Sequence, residues 1–482
     1  MLHPVPTASL TNDGDSRSDA HQDWTCVSLT LSHVHAGFLS EGGDVGSLAV
    51  KFFRWVERIG HTIGLLLAIV AIVAIGVIVG RPAEKSGNQP NFAGAEQQQK
   101  RLAVFLDGTW NSVNSNTNVW RMRALCASKS ADGKPQLVYY EVGVNGFLGG
   151  VFGQGLDENI RLAYEWLIEN YNEGDEIFIF GFSRGAFTAR ALAGLVAING
   201  VLKAGSPIGV TELFDRYKKG DEESIWRLKD IAASGDTSKL TEQEEWLLKY
   251  SQPAQVKVMG VWDTVGSVGL AAGNIPGISR SQFDYLQTGL RIHILNGYHA
   301  LAIDEHRNDF APTLWDVRHP KDPSAVIAKP RPLSGVEQRW FVGAHANVGG
   351  GYQTDLLAQA PLRWMMKKAE LHGLSFRSEV DLDGDAVIAP IADSYTSFGS
   401  GLYARFTSPL YRTIGREPDI REDGSHINVN ETIDANVFKR WRADPTYRPA
   451  NLVEWARRKK VDPAQFQTSV RADDPNVVAS DP

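Results

Sequence analysis

The 482-residue chain has little cysteine and no excess of positive charge. Its two cysteines, Cys26 and Cys126, are too few for a disulfide framework or a cysteine zinc site. The 49 Lys and Arg residues are outnumbered by 56 Asp and Glu, and the net charge of -7 argues against a nucleic-acid-binding protein held by phosphate contacts. Because 43% of the residues are hydrophobic, collagen-like and largely disordered proteins are excluded, and a large core is expected.

Charge is also missing from one long apolar run. The 22 residues between Arg58 and Arg81 include no Asp, Glu, Lys or Arg. As a helix with a rise of about 1.5 Å per residue they would span about 33 Å, close to the thickness of a hydrocarbon core. The run is uniformly apolar and begins too far from residue 1 for an ordinary signal peptide. We predict a single transmembrane helix over residues 59–80.

The segments on either side of this run are polar. Residues 1–50 hold six acidic side chains and one basic side chain without apolar periodicity, which predicts an acidic, disordered tail. Residues 81–100 contain Pro, Gly and Gln and are predicted to be a linker. Three basic residues closely precede the apolar run and two closely follow it. This bias favours a cytoplasmic N-terminus, with the larger C-terminal part on the non-cytoplasmic side.

After residue 100, short runs of β-forming residues alternate with stretches that have helical spacing. This alternation predicts an α/β fold, with a mostly parallel sheet and helices on both faces. Two long segments, 203–255 and 268–336, are expected to hold insertions or a lid. Residues 456–482 are expected to be a C-terminal tail. The predicted strands are 102–106, 136–140, 176–182, 256–262 and 339–343, and the predicted helices are 156–171, 186–200 and 355–373.

A serine lies in a tight turn between a predicted strand and a predicted helix. The strand over 176–182 runs directly into GFSRG (181–185), and a helix follows. This pattern in this context is typical of the nucleophile elbow of α/β-hydrolases, where Gly181 and Gly185 relieve crowding in a strained turn. The sequence predicts Ser183 as a nucleophile and the backbone N–H of Arg184 as an oxyanion donor.

A serine nucleophile needs a histidine base and a carboxylate, which follow it along the chain in α/β-hydrolases. Asp263 directly follows the predicted strand 256–262, and His345 directly follows the strand 339–343. We therefore predict the triad Ser183, Asp263 and His345. His299 and His306 are the alternatives to His345. Both lie in the segment 298–310, which we interpret as helical, and we interpret both histidines as structural.

A second oxyanion donor normally comes from the loop after an earlier strand. Here the first predicted strand leads into Asp107, Gly108 and Thr109, so the N–H of Gly108 or Thr109 is the candidate. Asp107 could also be the nucleophile of a dehalogenase-type phosphatase, whose motif is D-x-D-G-T. That motif needs an aspartate at the position of Phe105, so the phosphatase interpretation fails and Asp107 is interpreted as shaping the loop. The chemistry requires neither a metal ion nor an organic cofactor.

Taken in order, these motifs resemble the catalytic domain of class-one type VI secretion lipase effectors over about residues 101–455. The resemblance implies an α/β-hydrolase with phospholipase or related ester-hydrolase activity and a triad of Ser183, Asp263 and His345. Two positions depart from the family pattern: Asn347, where an acidic residue is frequent, and Asp434, near which a histidine is frequent. The matching segments are VFLDGTWN (104–111), NTNVWRM (116–122), FGQGLDENIRLAYEWLIENY (152–171), GDEIFIFGFSRGAFTARALAGLV (174–196), GVWDTVGSVG (260–269), HALAIDEHRNDFAPTLW (299–315), QRWFVGAHANVGGGY (338–352), ETIDANVFKRW (431–441) and YRPANL (447–452).

The leading hypothesis is a membrane-anchored serine hydrolase of a bacterial inner membrane. It would act on phospholipid esters through a catalytic domain at 101–455, with the bilayer as its partner through residues 59–80. One alternative is a non-enzymatic, membrane-tethered binding protein on a hydrolase scaffold. The other is a secreted antibacterial lipase effector with an unidentified immunity or chaperone protein.

Overall fold

The computed structural model describes residues 98–108, 113–143, 149–220, 223–265, 290–318, 331–415 and 426–479. The predicted acidic tail, the predicted transmembrane helix over 59–80 and nearly all of the predicted linker lie outside these ranges. Within them, every helix is too short or too polar to cross a bilayer.

An eight-stranded sheet forms the framework of the described chain. Its strands are β1 (Arg101–Leu106), β2 (Gln136–Glu141), β3 (Glu176–Phe182), β6 (Val256–Trp262), β7 (Ile294–Ala302), β9 (Val336–Phe341), β11 (Glu431–Ile433) and β12 (Val470–Arg471). They are ordered β12-β11-β9-β7-β6-β3-β1-β2. β12 pairs antiparallel with β11, and the other neighbours pair in parallel.

Two small antiparallel ribbons lie outside this sheet. One pairs β4 (Val201–Leu202) with β5 (Ser251–Gln252), and the other pairs β8 (Asp316–Arg318) with β10 (His426–Asn428). The α-helices of the described chain are α1 (Asn118–Leu125), α2 (Gly149–Asn170), α3 (Arg184–Asn199), α4 (Val210–Lys219), α5 (Ile225–Ser234), α6 (Glu242–Tyr250), α7 (His345–Gly349), α8 (Gln359–Glu370), α9 (Leu402–Phe406), α10 (Ala435–Ala443) and α11 (Ala450–Lys459).

Side-chain alternation along the strands builds a core on each face of the sheet. In β1, Leu102 and Val104 pack into a core with residues of α2 and α3. The intervening Ala103 and Phe105 pack into a second core with residues of α1 and α8. The central strands are therefore buried on both faces, and the predicted α/β architecture with a mostly parallel sheet is confirmed.

The interpretation of 298–310 as helical is wrong. Residues 298–302 form the C-terminal half of β7, which lies between β6 and β9, and every one of them is buried. The run is short and has one polar residue, His299, among Tyr, Ala and Leu, and such a run has no periodicity that separates a central strand from a buried helix. A smaller difference concerns β9, which begins at Val336 and ends at Phe341, earlier than the predicted 339–343.

The packed chain extends beyond the predicted domain end at 455. The segment 456–482, expected to be a tail, completes α11 and supplies the edge strand β12. The indole N–H of Trp455 donates to the carbonyl of Ala472 at 2.8 Å, and the Ala472 N–H donates to the carbonyl of Glu431. The expected insertion at 203–255 holds α4, α5 and α6.

Candidate active site

Ser183 occupies a strained turn between β3 and α3. Its backbone has φ 57° and ψ -122°, which few non-glycine residues adopt. A Cβ atom at Gly181 would lie 2.4 Å from the carbonyl oxygen of Gly185, and one at Gly185 would lie 2.3 Å from that of Leu106. The turn therefore requires glycine on both sides of the serine.

Ser183, His345 and Asp263 meet at the carboxyl edge of the sheet. Asp263 directly follows β6, and His345 begins α7 just beyond β9. The His345 Nε2 lies 2.8 Å from the Ser183 Oγ, and its Nδ1 lies 2.5 Å from the Asp263 Oδ2. All three side chains are nearly or fully buried. The structure thus brings together the three residues that the sequence nominated, although they come from distant parts of the chain.

Arg412 was not found by sequence reasoning, yet it contacts Asp263 directly. Its Nη1 donates to Asp263 Oδ1 at 2.6 Å and its Nη2 donates to Oδ2 at 3.0 Å. Burial alone would raise the pKa of Asp263, but the guanidinium of Arg412 and the contact with His345 hold that pKa well below its usual range. The carboxylate therefore stays ionised.

The hydrogen bonds fix the tautomer of His345. The ionised Asp263 can only accept, so the Nδ1 of His345 carries the proton and its Nε2 presents a lone pair to the hydroxyl of Ser183. Burial lowers the pKa of His345 against the opposing pull of Asp263, and the net pKa lies below the ordinary value of 6.5. The ring is accordingly neutral at pH 7 and can accept a proton.

The two alternative histidines make structural contacts. His299 lies on β7, and its Nε2 accepts a hydrogen bond from the N–H of Thr264 at 3.1 Å. Burial lowers its pKa to about 3, so it is neutral. The Nδ1 of His306 lies 3.2 Å from the carbonyl oxygen of Leu410. His299 thus stabilises the loop that carries Asp263.

The loop after β1 is organised by Asp107. The N–H of Gly108 donates to Asp107 Oδ1 at 2.8 Å, and the hydroxyls of Thr117 and Tyr140 donate to Oδ2. Because Asp107 engages the N–H of Gly108, that group is not presented to an oxyanion in this geometry. Thr109, the other nominated donor of this loop, lies outside the described residues. The N–H of Arg184 begins the first turn of α3, directly after Ser183.

The buried ion pair of Glu305 and Arg307 contacts the backbone of His345. Glu305 Oε2 accepts the N–H of His345 at 3.1 Å, and both oxygens of Glu305 accept from Arg307. The ring of Phe310 lies 5.0 Å from the imidazole, and Arg307 lies over that phenyl ring. Glu305 lies three residues after the end of β7, so a correct strand assignment would have drawn attention to this carboxylate at the same edge of the sheet as Asp263.

The two departures from the family pattern have local structural roles. The side-chain oxygen of Asn347 accepts the N–H groups of Ala344 and Ala392, each at 3.1 Å. Asp434 caps α10 by accepting the N–H of Asn436 at 2.9 Å. In the ranges described above, no group of three or more His, Cys, Asp or Glu side chains is arranged to hold a metal ion.

Several known proteins are similar to parts of this chain. It is 28% identical over 236 residues to the uncharacterized protein YEL023C of Saccharomyces cerevisiae, a match that covers 44% of this chain and 32% of that relative. An uncharacterized protein from Pseudomonas aeruginosa has a crystal structure with 16% identity and a TM-score of 0.35, covering 58% of this chain and 46% of its own. The Tle1 effector bound to the VgrG spike from the type 6 secretion system shows 15% identity and a TM-score of 0.27, covering 57% and 58%.

A family model also matches this chain. The catalytic domain of Tle1-like phospholipase effectors of the type VI secretion system matches residues 100–368, which include Ser183, Asp263 and His345. This range is more than half of the chain. The protein therefore belongs to the family of Tle1-like type VI secretion phospholipase effectors.

Proposed function

We propose that this protein is a serine hydrolase that cleaves carboxylic esters of phospholipids. The observation that carries the proposal is the continuous set of short contacts from Ser183 through His345 to Asp263. Membership of a phospholipase effector family supports the substrate class.

In the proposed reaction, the Ser183 Oγ attacks the ester carbonyl carbon while the Nε2 of His345 takes the hydroxyl proton. The tetrahedral intermediate collapses when His345 returns that proton to the departing alcohol, which leaves an acyl-serine. Water then attacks the acyl carbon, His345 takes a proton from the water, and the fatty acid leaves as the proton returns to Ser183. Asp263 holds the imidazole in its reactive tautomer and stabilises the imidazolium.

The negative charge on the tetrahedral oxygen needs at least one directed donor. The N–H of Arg184 is proposed as the first donor, because it lies at the positive end of the α3 helix beside Ser183. Thr109 is proposed as the second donor. Gly108 would have to exchange its bond to Asp107 for one to the oxyanion.

The proposed anchor is the apolar run at 59–80, with the catalytic domain on the non-cytoplasmic side of a bacterial inner membrane. Such an anchor would hold the hydrolase next to the bilayer that contains its substrate. The catalytic domain is proposed to begin near residue 101. Its C-terminal limit is proposed to include the sheet strand at Val470–Arg471, because that strand pairs with β11.

The test compares full-length wild-type protein with Ser183→Ala on phosphatidylglycerol and phosphatidylethanolamine vesicles. Mass spectrometry of the released fatty acids is expected to show turnover by the wild type and none by the variant, with equal thermal unfolding midpoints. Ser234→Ala, at an exposed serine at the end of α5, is the matched control and is expected to retain turnover. Equal turnover by Ser183→Ala and the wild type would refute the assignment.

Membership of the effector family favours one second candidate, a secreted antibacterial lipase effector. It shares the proposed chemistry but predicts transfer to a neighbouring cell and a toxic effect there that Ser183→Ala abolishes. A non-enzymatic binding protein is the remaining alternative. It predicts that a fluorophosphonate probe fails to label Ser183 in the wild type.

A further inference from the structure

The segment 398–412 is tied to the candidate site at both ends. At one end, the ring of Phe398 lies 6.4 Å from that of Phe310, which itself lies 5.0 Å from the imidazole of His345. At the other end, Arg412 donates two hydrogen bonds to Asp263. The segment is therefore fixed beside the triad.

Between these ties, the segment presents large apolar side chains to solvent. Phe406 is 81% exposed and Leu402 is 57% exposed, and they lie four residues apart on α9, so they share one face of the helix. Tyr411 and Phe398 are also exposed. We call these four residues the apolar strap. Single exposed apolar residues are common, but a group of them beside a reactive centre indicates a surface with a partner.

The charge of this segment indicates what kind of partner fits. From 398 to 411 the sequence FGSGLYARFTSPLY has one charged residue, Arg405, and no carboxylate, although the whole chain has a net charge of -7. Arg405 is exposed and directly precedes Phe406. A mostly apolar segment that carries one exposed cation and no carboxylate of its own matches the edge of a phospholipid bilayer, where phosphate groups border acyl chains.

We propose that the apolar strap inserts into the surface of a phospholipid bilayer and so brings an acyl ester to Ser183. This inference rests on the proposed function, because it names where that site meets its substrate. It is independent of the predicted helix over 59–80, which would hold the chain at a membrane without placing the triad against it.

A local probe separates insertion of the strap from anchoring elsewhere in the full-length chain. Phe406→Cys is combined with Ser183→Ala and Cys26→Ser and labelled with an NBD maleimide. Cys126 remains, since burial raises the pKa of its thiol to about 12 and slows its reaction relative to an exposed cysteine, and the chain without the position-406 cysteine gives its background labelling. On vesicles of phosphatidylcholine and phosphatidylglycerol, the emission is expected to shift to the blue and to be quenched by spin-labelled acyl chains.

The control places the same probe at Ser234→Cys, an exposed position at the end of α5. Its emission is expected to remain that of an aqueous probe although the chain floats with the vesicles. If the probe at position 406 also remains aqueous on floated vesicles, the proposal is overturned. Because the chain carries Ser183→Ala, this outcome does not depend on turnover and is distinct from a failure of the proposed function.

A second measurement uses the active protein. Leu402→Glu combined with Phe406→Glu is expected to lower the ratio of vesicle turnover to turnover of a soluble short-chain ester at least ten-fold. Val453→Glu, at an exposed apolar residue on α11, is the matched control and should leave the ratio as in the wild type. An unchanged ratio in the double variant overturns the proposal. Wild-type protein that cleaves neither substrate would instead contradict the proposed function.

Discussion

The turn that holds Ser183 and the pocket that holds Asp263 are stabilised in different ways. Close backbone packing holds the turn, because the backbone atoms around Gly181 and Gly185 leave no space for a side chain at either position. Charge holds the pocket, because the buried Asp263 is paired with the equally buried Arg412. The turn depends on backbone atoms of its own residues and of Leu106 and Asp107 at the end of β1, whereas the ion pair joins two side chains that are 149 positions apart. We therefore expect a substitution in the turn to destabilise the fold through steric strain, and a substitution in the pocket to destabilise it by leaving a buried charge unpaired.

The largest effect is expected when the carboxylate of Asp263 is replaced. In Asp263→Asn the amide can donate to His345, which favours the wrong tautomer, so kcat should fall by about 10⁴-fold with a smaller change in KM. Steady-state kinetics on a soluble ester measure this effect. Asp309→Asn, at a carboxylate that accepts a hydrogen bond from Tyr403, is the control. A kcat within ten-fold of the wild type for Asp263→Asn would contradict its assigned role.

Removal of Arg412 tests the charge-based half of the comparison. Arg412→Gln leaves the buried Asp263 without its cation, which is expected to cost about 3–5 kcal/mol in the free energy of unfolding. Arg412→Lys keeps the charge but loses the two-pronged geometry, so a smaller loss is expected. Urea unfolding at pH 7 measures both variants. Equal stability of Arg412→Gln and the wild type would show that the ion pair contributes nothing.

A single methyl group tests the packing half of the comparison. The Cβ of Gly185→Ala would meet the carbonyl oxygens of Leu106 and Asp107 within 2.4 Å, so we expect a loss of about 1–3 kcal/mol in the free energy of unfolding. Gly209→Ala is the matched control, because its Cβ would meet nothing within 4 Å. Urea unfolding of the two variants should differ clearly. If Gly185→Ala is as stable as Gly209→Ala, the turn has more space than the structure shows.

The smallest expected effect concerns the pH dependence of activity. The pKa of His345 lies below 6.5, first because burial disfavours the imidazolium. The value of kcat/KM should therefore be constant above pH 7 and fall on the acidic side of 6.5. The neutral, buried imidazole of His345 also affects stability. Its contribution to the free energy of unfolding is fully present above the pKa of histidine in the unfolded chain and is lost as pH falls through the lower pKa of His345 in the folded chain.

A neighbouring cation allows this pH profile to be shifted. Arg307→Gln removes a positive charge that lowers the pKa of His345 and leaves the carboxylate of Glu305 unpaired beside it. Both changes favour the imidazolium, so the acidic limb should move to higher pH. The profile of Lys367→Gln, at a half-buried lysine on α8 that pairs with Glu370 and Glu379, should match that of the wild type. A limb that moves to lower pH in Arg307→Gln would contradict this electrostatic account.

Local features of the sequence predicted much of the fold and of the candidate site. The strands β3 and β6 have the predicted bounds, because apolar residues dominate each run and the run ends at a polar residue or a tight turn. The residues that follow strand ends, Ser183 and Asp263, could be nominated for the same reason. The strand β7 was missed because its Ala- and Leu-rich half has no periodicity that excludes a helix.

Arg412 could not be predicted because nothing in its neighbourhood marks it. It follows the apolar strap and precedes Thr413, without a strand end or glycine turn of the kind that identified the other residues. Its role depends on a contact with Asp263 that only the folded chain creates. The family match ends at residue 368, so this arginine also lies outside the part of the chain that the match covers.

The edge strands β11 and β12 have a consequence for any shortened version of the protein. β11 pairs with β9, and β12 pairs with β11. Both β11 and β12 come from residues beyond 430. A chain cut after residue 368 would leave the backbone groups of β9 open to pairing with other molecules. It would also lack the arginine that neutralises Asp263. Such a fragment is expected to aggregate, because the sheet depends on strands that lie beyond the residues 100–368 matched by the family model.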